Sequence, residues 1–273
     1  MDWGRVKAIV KKDLREMFKS KYILSAVIGM PILFAIFIPL STLYPLVAIN
    51  PSDFEGEEEL PVFFSDLMSQ VVPNWDDAGA HGQLLILMAY LMFIMVLLIP
   101  IILPAVTASE TIVGEKERKT MEALLASPIS ETELVTGKIL SSFIPSVLGT
   151  AFAALTYGII TNILIYPYVN ALLFLDILSI VFLFAIAPLL SILSVELMIL
   201  ISSRVTSVRD AYQLGSLVVL PLIMIVIGLV VTYLLISVLA LMASVAILLI
   251  LCAIFFKIAT NMFDRERAIV KLV

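Results

Sequence analysis

The stretch from residue 213 to residue 256 contains no charged residue. A single α-helix of these 44 residues would be about 66 Å long, roughly twice the thickness of the hydrocarbon core of a bilayer. We therefore predict two membrane spans here, at about 213–235 and 238–256, with a tight reversal between them. The whole chain is 62% hydrophobic and 14% charged, against about 45–50% and about 25% in soluble proteins. This composition excludes a soluble enzyme and a nucleic-acid-binding module.

Earlier apolar runs are also long enough to cross a membrane. They lie at about 22–49, 83–108, 139–165 and 172–201. The predicted fold class is therefore an all-α integral membrane protein, with a six-span domain at 22–273 that follows an N-terminal segment at 1–21.

Basic residues predict how the spans are oriented. All 17 lysines and arginines fall into four groups, at 5–21, 116–138, 204–209 and 257–271. The segment 50–82 has eight acidic residues and no basic one. Cytoplasmic loops carry the excess of lysine and arginine. We therefore expect both termini on the cytoplasmic side of a plasma membrane and an acidic outer loop at 50–82.

Residues 1–21 have the pattern of an amphipathic helix that lies on the membrane surface. Apolar residues recur at helical spacing, while lysine and arginine occupy other positions of the helical wheel. Such a helix is expected to attract anionic lipid headgroups, and packing against a soluble partner is the alternative.

A charged cytoplasmic elbow is predicted at 109–138, where the sequence from residue 110 reads ETIVGEKERKTMEALLASPISETELVTGK. A first short helix is expected at 115–126 and should end before Pro128, since the residue before proline is disfavoured in helical geometry. Ser130 and Glu133 form a capping-box pattern, which predicts that a second helix begins at Glu131 and continues into the third span.

This elbow and the six-span order resemble type-2 ATP-binding-cassette permeases, in the branch that includes sodium-export and antibiotic-resistance exporter permeases. The run ERKTMEALLASPIS carries most of the resemblance, and members of that family also have a basic amphipathic helix before the first span. The resemblance implies an ATP-driven exporter subunit that forms its pathway with a second copy or a paralogue. The substrate stays open among sodium ions, hydrophobic drugs, peptides and lipids.

The resemblance also implies that the elbow docks into a separate cytoplasmic ATPase. The expected coupling residues are Glu115, Glu117, Arg118, Lys119, Thr120, Glu122, Leu124 and Leu125, with Pro128 in a supporting role. ATP and magnesium would then be bound by the partner, and no cofactor by this chain. The expected partners are the ATPase, the second permease and the lipid bilayer, and no nucleic acid is expected.

The residues themselves provide no catalytic or metal site. The nearest approach to a phosphate-binding loop, Gly137-Lys138, has Thr132 where the first glycine belongs and Ile139 in place of serine or threonine. The single histidine rules out a zinc site built on paired imidazoles. The chain is therefore expected not to be an enzyme.

Ionisable and polar residues inside the spans are candidates for the translocation pathway or a subunit interface. These are Glu196, Asp176 and Asn162. Two other functions fit the same sequence. One is a stand-alone carrier or channel that is driven by a gradient through Glu196 and Asp176, and the other is a membrane scaffold that transports nothing.

Overall fold

A computed structural model describes residues 1–49, 65, 68–69, 72, 74–121, 128–174, 177–202, 205, 207–235 and 238–262. This part of the chain is helical and contains no strand. We number its α-helices in chain order: α1 Trp3–Lys19, α2 Lys21–Ile32, α3 Ile38–Val47, α4 Gly79–Val96, α5 Ile99–Glu117, α6 Glu131–Val169, α7 Ile177–Val181, α8 Ala187–Ser202, α9 Val208–Leu235 and α10 Val238–Met262.

Six helical stretches among the described residues are long and apolar enough to cross a membrane. They are Lys21–Val47, Asp76–Glu117, Glu131–Val169, Ser179–Ser202, Val208–Gly228 and Met242–Asn261. The predicted all-α fold with six spans is therefore confirmed. Most of the predicted outer loop at 50–82 and the predicted reversal at 236–237 lie outside the described residues.

The second and third spans extend beyond the bounds predicted from hydropathy. Helix α5 runs past residue 108 to Glu117, and α6 begins at Glu131 and continues for 39 residues. The first elbow helix was expected to start at Glu115, but Glu115 lies in the last turn of α5. The start of α6 at Glu131 is the one that the capping-box pattern predicts, whereas α5 continues beyond its apolar part because its charged residues find partners.

Two single-turn π-helical segments widen the spans at Leu33–Phe37 and Phe182–Ile186. Each contains the residue four places before a proline, Ala35 before Pro39 and Phe184 before Pro188. Proline has no N–H to donate to that carbonyl and its ring crowds it, so the helix widens locally instead of breaking.

Helix α8 lies inside the bundle and packs against α5, α6, α9 and α10. Its serines make polar contacts with neighbouring helices: the Ser191 and Ser146 hydroxyls are 2.9 Å apart, and the Ser194 hydroxyl donates to the Ile101 carbonyl at 2.6 Å. Small side chains permit this approach, and their hydrogen bonds join α8 to α6 and α5.

Helix α1 packs along the N-terminal part of α6, at what we call the elbow end of the bundle. This is the end at which α1, the α5–α6 connection and the α8–α9 connection meet. Gly137 of α6 makes the contact possible, because a Cβ atom there would lie 2.8 Å from Cγ2 and 3.0 Å from Cβ of Ile9. Ile9 is 3% exposed.

Replacing Gly137 with alanine should weaken this packing. We expect Gly137→Ala to lower the free energy of unfolding by about 1–3 kcal/mol, because the added methyl group overpacks a closed contact. The measurement is unfolding of the purified chain in detergent. Gly158→Ala on the same helix is the matched control. No atom lies within 4 Å of its added Cβ, so it should be neutral or gain about 0.5–1 kcal/mol. Equal stability changes in the two variants would contradict the contact.

Candidate functional site

The last turn of α5 and its cap residue contact four other helices at the elbow end: α1, α6, α8 and α9. We call these residues, Glu115, Lys116, Glu117 and Arg118, the hub. The exposure of the hub rises along the sequence, from the buried Glu115 to Arg118, whose side chain is 59% exposed. One helical turn therefore has an inner side that holds neighbouring helices and an outer side that faces solvent.

The inner side of the hub belongs to an ion cluster around Lys138 of α6. The Lys138 ammonium is 2.8 Å from Oε2 of Glu115 and 3.0 Å from Oδ2 of Asp13 on α1. It also donates to the Thr111 carbonyl at 2.8 Å. Lys138 and Asp13 are each 1% exposed and Glu115 is 3% exposed. A buried ammonium group that has two carboxylates and a carbonyl oxygen within 3.0 Å meets the condition under which a charge is tolerated in a protein interior.

Helix α1 contributes a second cation to this ion cluster. The Lys12 ammonium donates to Oε1 of Glu115 and lies 3.6 Å from Oδ1 of Asp13. The Ser141 hydroxyl donates to Oδ2 of Asp13 at 3.2 Å. Two lysines thus balance two buried carboxylates, and the four charges join α1, α5 and α6.

Burial and pairing act in opposite directions on the pKa values of the ion cluster. Burial raises the pKa of the Asp13 carboxyl above its ordinary value, and the nearby Lys138 ammonium counteracts only part of this rise. For Lys12, burial lowers the pKa, but the hydrogen bond and the charge of Glu115 outweigh it and leave the pKa raised. Asp13 therefore depends on Lys138 and Lys12 to stay ionised inside the protein.

Carboxylate oxygens of Asp13, Glu16 and Glu115 lie within 4.8 Å of one another, close enough to share a metal ion. The Lys12 ammonium is already within ion-pair distance of all three, at 3.8 Å from Glu16. Lys12 supplies the positive charge that a metal would bring. We therefore interpret these carboxylates as part of the ion cluster and not as a metal centre.

The remaining inward contacts of the hub are made to the ends of α8 and α9. The Lys116 ammonium donates to the Ser202 carbonyl at the C-terminus of α8. Oε2 of Glu117 accepts from the Val208 backbone N–H at 3.2 Å, at the first residue of α9. A cation at a helix C-terminus and an anion at an N-terminus both complement the helix dipole and satisfy backbone groups that have no partner within the helix.

The predicted capping box at the start of α6 is confirmed. Oε2 of Glu133 accepts from the Ser130 N–H at 2.9 Å, and the Ser130 hydroxyl accepts from the Glu133 N–H at 3.3 Å. Glu133 does more than cap its own helix, since Oε1 accepts from the Asp2 N–H at 2.6 Å and Arg5 lies 3.6 Å from Oε2. The beginning of α1 is thereby attached to the beginning of α6.

The outer side of the elbow is a turn that follows α5. Lys119 has a φ of 58°, a left-handed conformation that reverses the chain, and the Thr120 N–H donates to the Glu115 carbonyl at 2.9 Å. The Arg118 guanidinium lies 3.4 Å from Oε2 of Glu110, about two helical turns earlier in the chain. The polar side chains of 117–120 are exposed there.

The other predicted site residues lie apart from the hub or outside the described residues. Glu122, Leu124, Leu125 and Asp176 are outside them, and Pro128 is exposed. Asn162 is engaged with the backbone at the far end of α6, where its Oδ1 accepts from the Leu173 N–H at 2.7 Å. Glu196 in α8 is 1% exposed, and its Oε2 has no hydrogen-bond partner in the part of the chain that the structure describes.

Sequence reasoning missed Asp13, Lys12 and Lys138 as site residues. Lys138 was predicted only to end the elbow, with no buried role, and no role was predicted for Asp13. One signal was available, because Asp13 lies four residues from both Ile9 and Met17 and so falls within the apolar face of α1. A charge in that position requires a partner, which is 125 residues away in sequence.

The six spans and the hub define a multi-pass helical membrane protein whose helices are tied together at one end by buried and capping charges. The chain belongs to the ABC-2 family transporter proteins, and the model of that family matches residues 7–240. It is thus a membrane permease component of an ABC transporter, a class that implies an ATPase partner. No curated protein matches the chain significantly.

Removing the Lys138 charge should destabilise the elbow end strongly. Lys138→Met leaves Asp13 and Glu115 buried without their main counter-charge, so we expect the free energy of unfolding in detergent to fall by about 3–5 kcal/mol. Lys11→Met is the control. Lys11 is an exposed lysine of α1, so this substitution should change the free energy of unfolding little.

A triple variant separates lost charge balance from lost packing. Adding Asp13→Asn and Glu115→Gln to Lys138→Met removes the unpaired carboxylates, and most of the stability should return. A free energy of unfolding for Lys138→Met equal to that of the unaltered chain would contradict a buried ion cluster.

Proposed function

We propose that this chain is the membrane-spanning subunit of an ATP-driven exporter and that it couples to a separate ATPase through the elbow at 115–138. The observation that carries this proposal is the hub, one helical turn that has an exposed outer side and inward contacts to four other helices. A force applied to such a turn acts on several spans together, which is what coupling to an external motor requires.

The proposed docking surface is the exposed part of the elbow. Glu117, Arg118, Lys119 and Thr120 face solvent, and Pro128 is exposed shortly before α6 begins. Their mixed charges are suited to polar recognition by a soluble protein, in which charge complementarity selects the partner. Glu122, Leu124 and Leu125 stay in the proposal on the resemblance alone.

Glu115 receives a different role from the one that the resemblance implies. Its carboxylate is 3% exposed and binds Lys12 and Lys138, so it is turned away from a docking partner. We assign it to the transmission of movement from the docking surface to α1 and α6. Glu117 combines both roles, since its side chain is exposed and also caps α9.

Transmission would work by changing the relative position of helix ends. Closure of the ATPase pair on ATP and magnesium, both bound by the partner, would displace the α5 turn. Through Lys138, Lys116 and Glu117 the displacement would reach α6, α8 and α9. Domain closure that biases a packed helical interface between two states is an established form of conformational coupling.

The assembly that we propose has two permease chains, this one with a second copy or a paralogue, above two ATPase subunits. The elbow end would face the cytoplasm, with both termini inside, a surface helix at 1–21 and a permease domain at 22–273. The ERKTMEALLASPIS run favours the sodium-export and antibiotic-resistance branch. Glu196, Asp176 and Asn162 are assigned to the pathway or the permease interface.

Charge reversal at the outer side of the hub should break ATPase association. Arg118 is 59% exposed, so Arg118→Glu should leave the fold intact and reduce the ATPase recovered with the purified chain at least about tenfold, the equivalent of 1.4 kcal/mol. The measurement is affinity purification from native membranes, with ATP hydrolysis and mass spectrometry of the recovered subunit.

The matched control is Lys257→Glu, the same loss of positive charge at an exposed position of α10. It should retain the ATPase. Recovery of the ATPase in equal amounts with Arg118→Glu, Lys257→Glu and the unaltered chain would place the docking surface elsewhere.

A further inference from the structure

Helix α1 presents three faces, and the structure gives a partner to one of them. Val6, Ile9, Asp13 and Met17 are buried and form the face that packs on the bundle. Trp3 and Phe18 belong to a second, apolar face and are 66% and 61% exposed. The ion cluster turns Asp13 inward and leaves Trp3 outside.

The third face is a row of exposed basic residues at intervals of four: Lys7, Lys11, Arg15 and Lys19. Residues four apart drift by about 40° around a helix, so the row begins beside Trp3 and Phe18, at Lys7, and turns away from them toward Lys19. None of the four has an ion pair or hydrogen bond with any residue that the structure describes. Arg5 and Lys12, by contrast, pair with Glu133 and Glu115.

The connection to the first span fixes the level at which this row ends. Ser20 ends α1, with its N–H donating to the carbonyls of Glu16 and Met17, and it also begins α2, where its hydroxyl accepts from the Ile23 N–H at 3.5 Å. A single residue thus separates α1 from the span Lys21–Val47. Without a linker, the C-terminal end of α1, with Arg15 and Lys19, must lie where that span leaves the hydrocarbon core, at the level of the lipid headgroups.

We propose that the row Lys7, Lys11, Arg15 and Lys19 is a binding site for anionic phospholipid headgroups, with Trp3 and Phe18 inserted at the boundary of the acyl chains. Four cations that have no partner among the described residues, beside apolar side chains, match a layer in which phosphates lie above hydrocarbon. Lysine and arginine can extend to this layer while their methylene stems cover apolar surface.

This site would connect membrane charge to the hub. The opposite face of α1 carries Lys12 and Asp13, which join the ion cluster with Glu115 and Lys138. Headgroups that hold α1 on the membrane would therefore also hold the hub in position. Lipid binding does not depend on ATPase docking, so the two proposals can fail separately.

Fluorescence quenching by brominated lipids tests the site directly on the full chain. The chain is reconstituted in vesicles of phosphatidylcholine with a minor fraction of phosphatidylglycerol, and bromine is carried by one lipid or the other at matched bromine content. The chain has two tryptophans, so a Trp3→Phe variant gives the contribution of Trp75 to subtract.

We expect Trp3 to be quenched at least about twofold more when bromine is on phosphatidylglycerol, because the row enriches that lipid locally. High salt should remove the difference, as should the variant with Lys7→Gln, Lys11→Gln, Arg15→Gln and Lys19→Gln. Lys257→Gln on α10 should preserve it. Equal quenching by both lipids would overturn the site, and an unquenched Trp3 would overturn it in favour of a face that binds a soluble protein.

Discussion

The arrangement of the elbow end depends on one buried ammonium group. Lys138 is 1% exposed and is satisfied only when α1 supplies Asp13, α5 supplies Glu115 and the Thr111 carbonyl is within reach. A charge in this position excludes any arrangement in which one of the three helices moves away, because the buried charge would lose its partner. The ion cluster therefore specifies where α1 lies. Apolar packing around Ile9 alone would allow more positions of α1 against the bundle.

The hub extends the same principle to the rest of the bundle. An apolar span ends where charged residues begin, yet α5 continues to Glu117 because each charge of its last turn finds a partner on another helix. Lys116 and Glu117 satisfy the ends of α8 and α9, so the turn that faces solvent is also the point at which the spans are joined. Such a construction suits a permease component of an ABC transporter, a class that implies an ATPase partner.

Sequence reasoning predicted what depends on local pattern. The six spans follow from apolar length, and the capping box at Ser130 and Glu133 follows from a four-residue motif. It did not predict the ends of α5, because a hydropathy pattern cannot show that Glu115 has a counter-charge. Nor did it predict the ion cluster, because Asp13 and Lys138 are brought together only when α1 packs on α6. The inward turn of Glu115 likewise depends on partners from two other helices.

The most direct test of this account measures the distance between α1 and α6 by pulsed electron paramagnetic resonance. Spin labels are placed at the exposed positions Ala8 and Thr132, in a chain whose single native cysteine, Cys252, is replaced by serine. A second label pair at Leu148 and Ile247, both exposed, reports on the bundle itself. The account predicts one narrow distance distribution between α1 and α6, which Lys138→Met broadens while the second pair is unchanged. A narrow distribution that survives Lys138→Met would contradict it, because α1 would then be held by apolar packing alone.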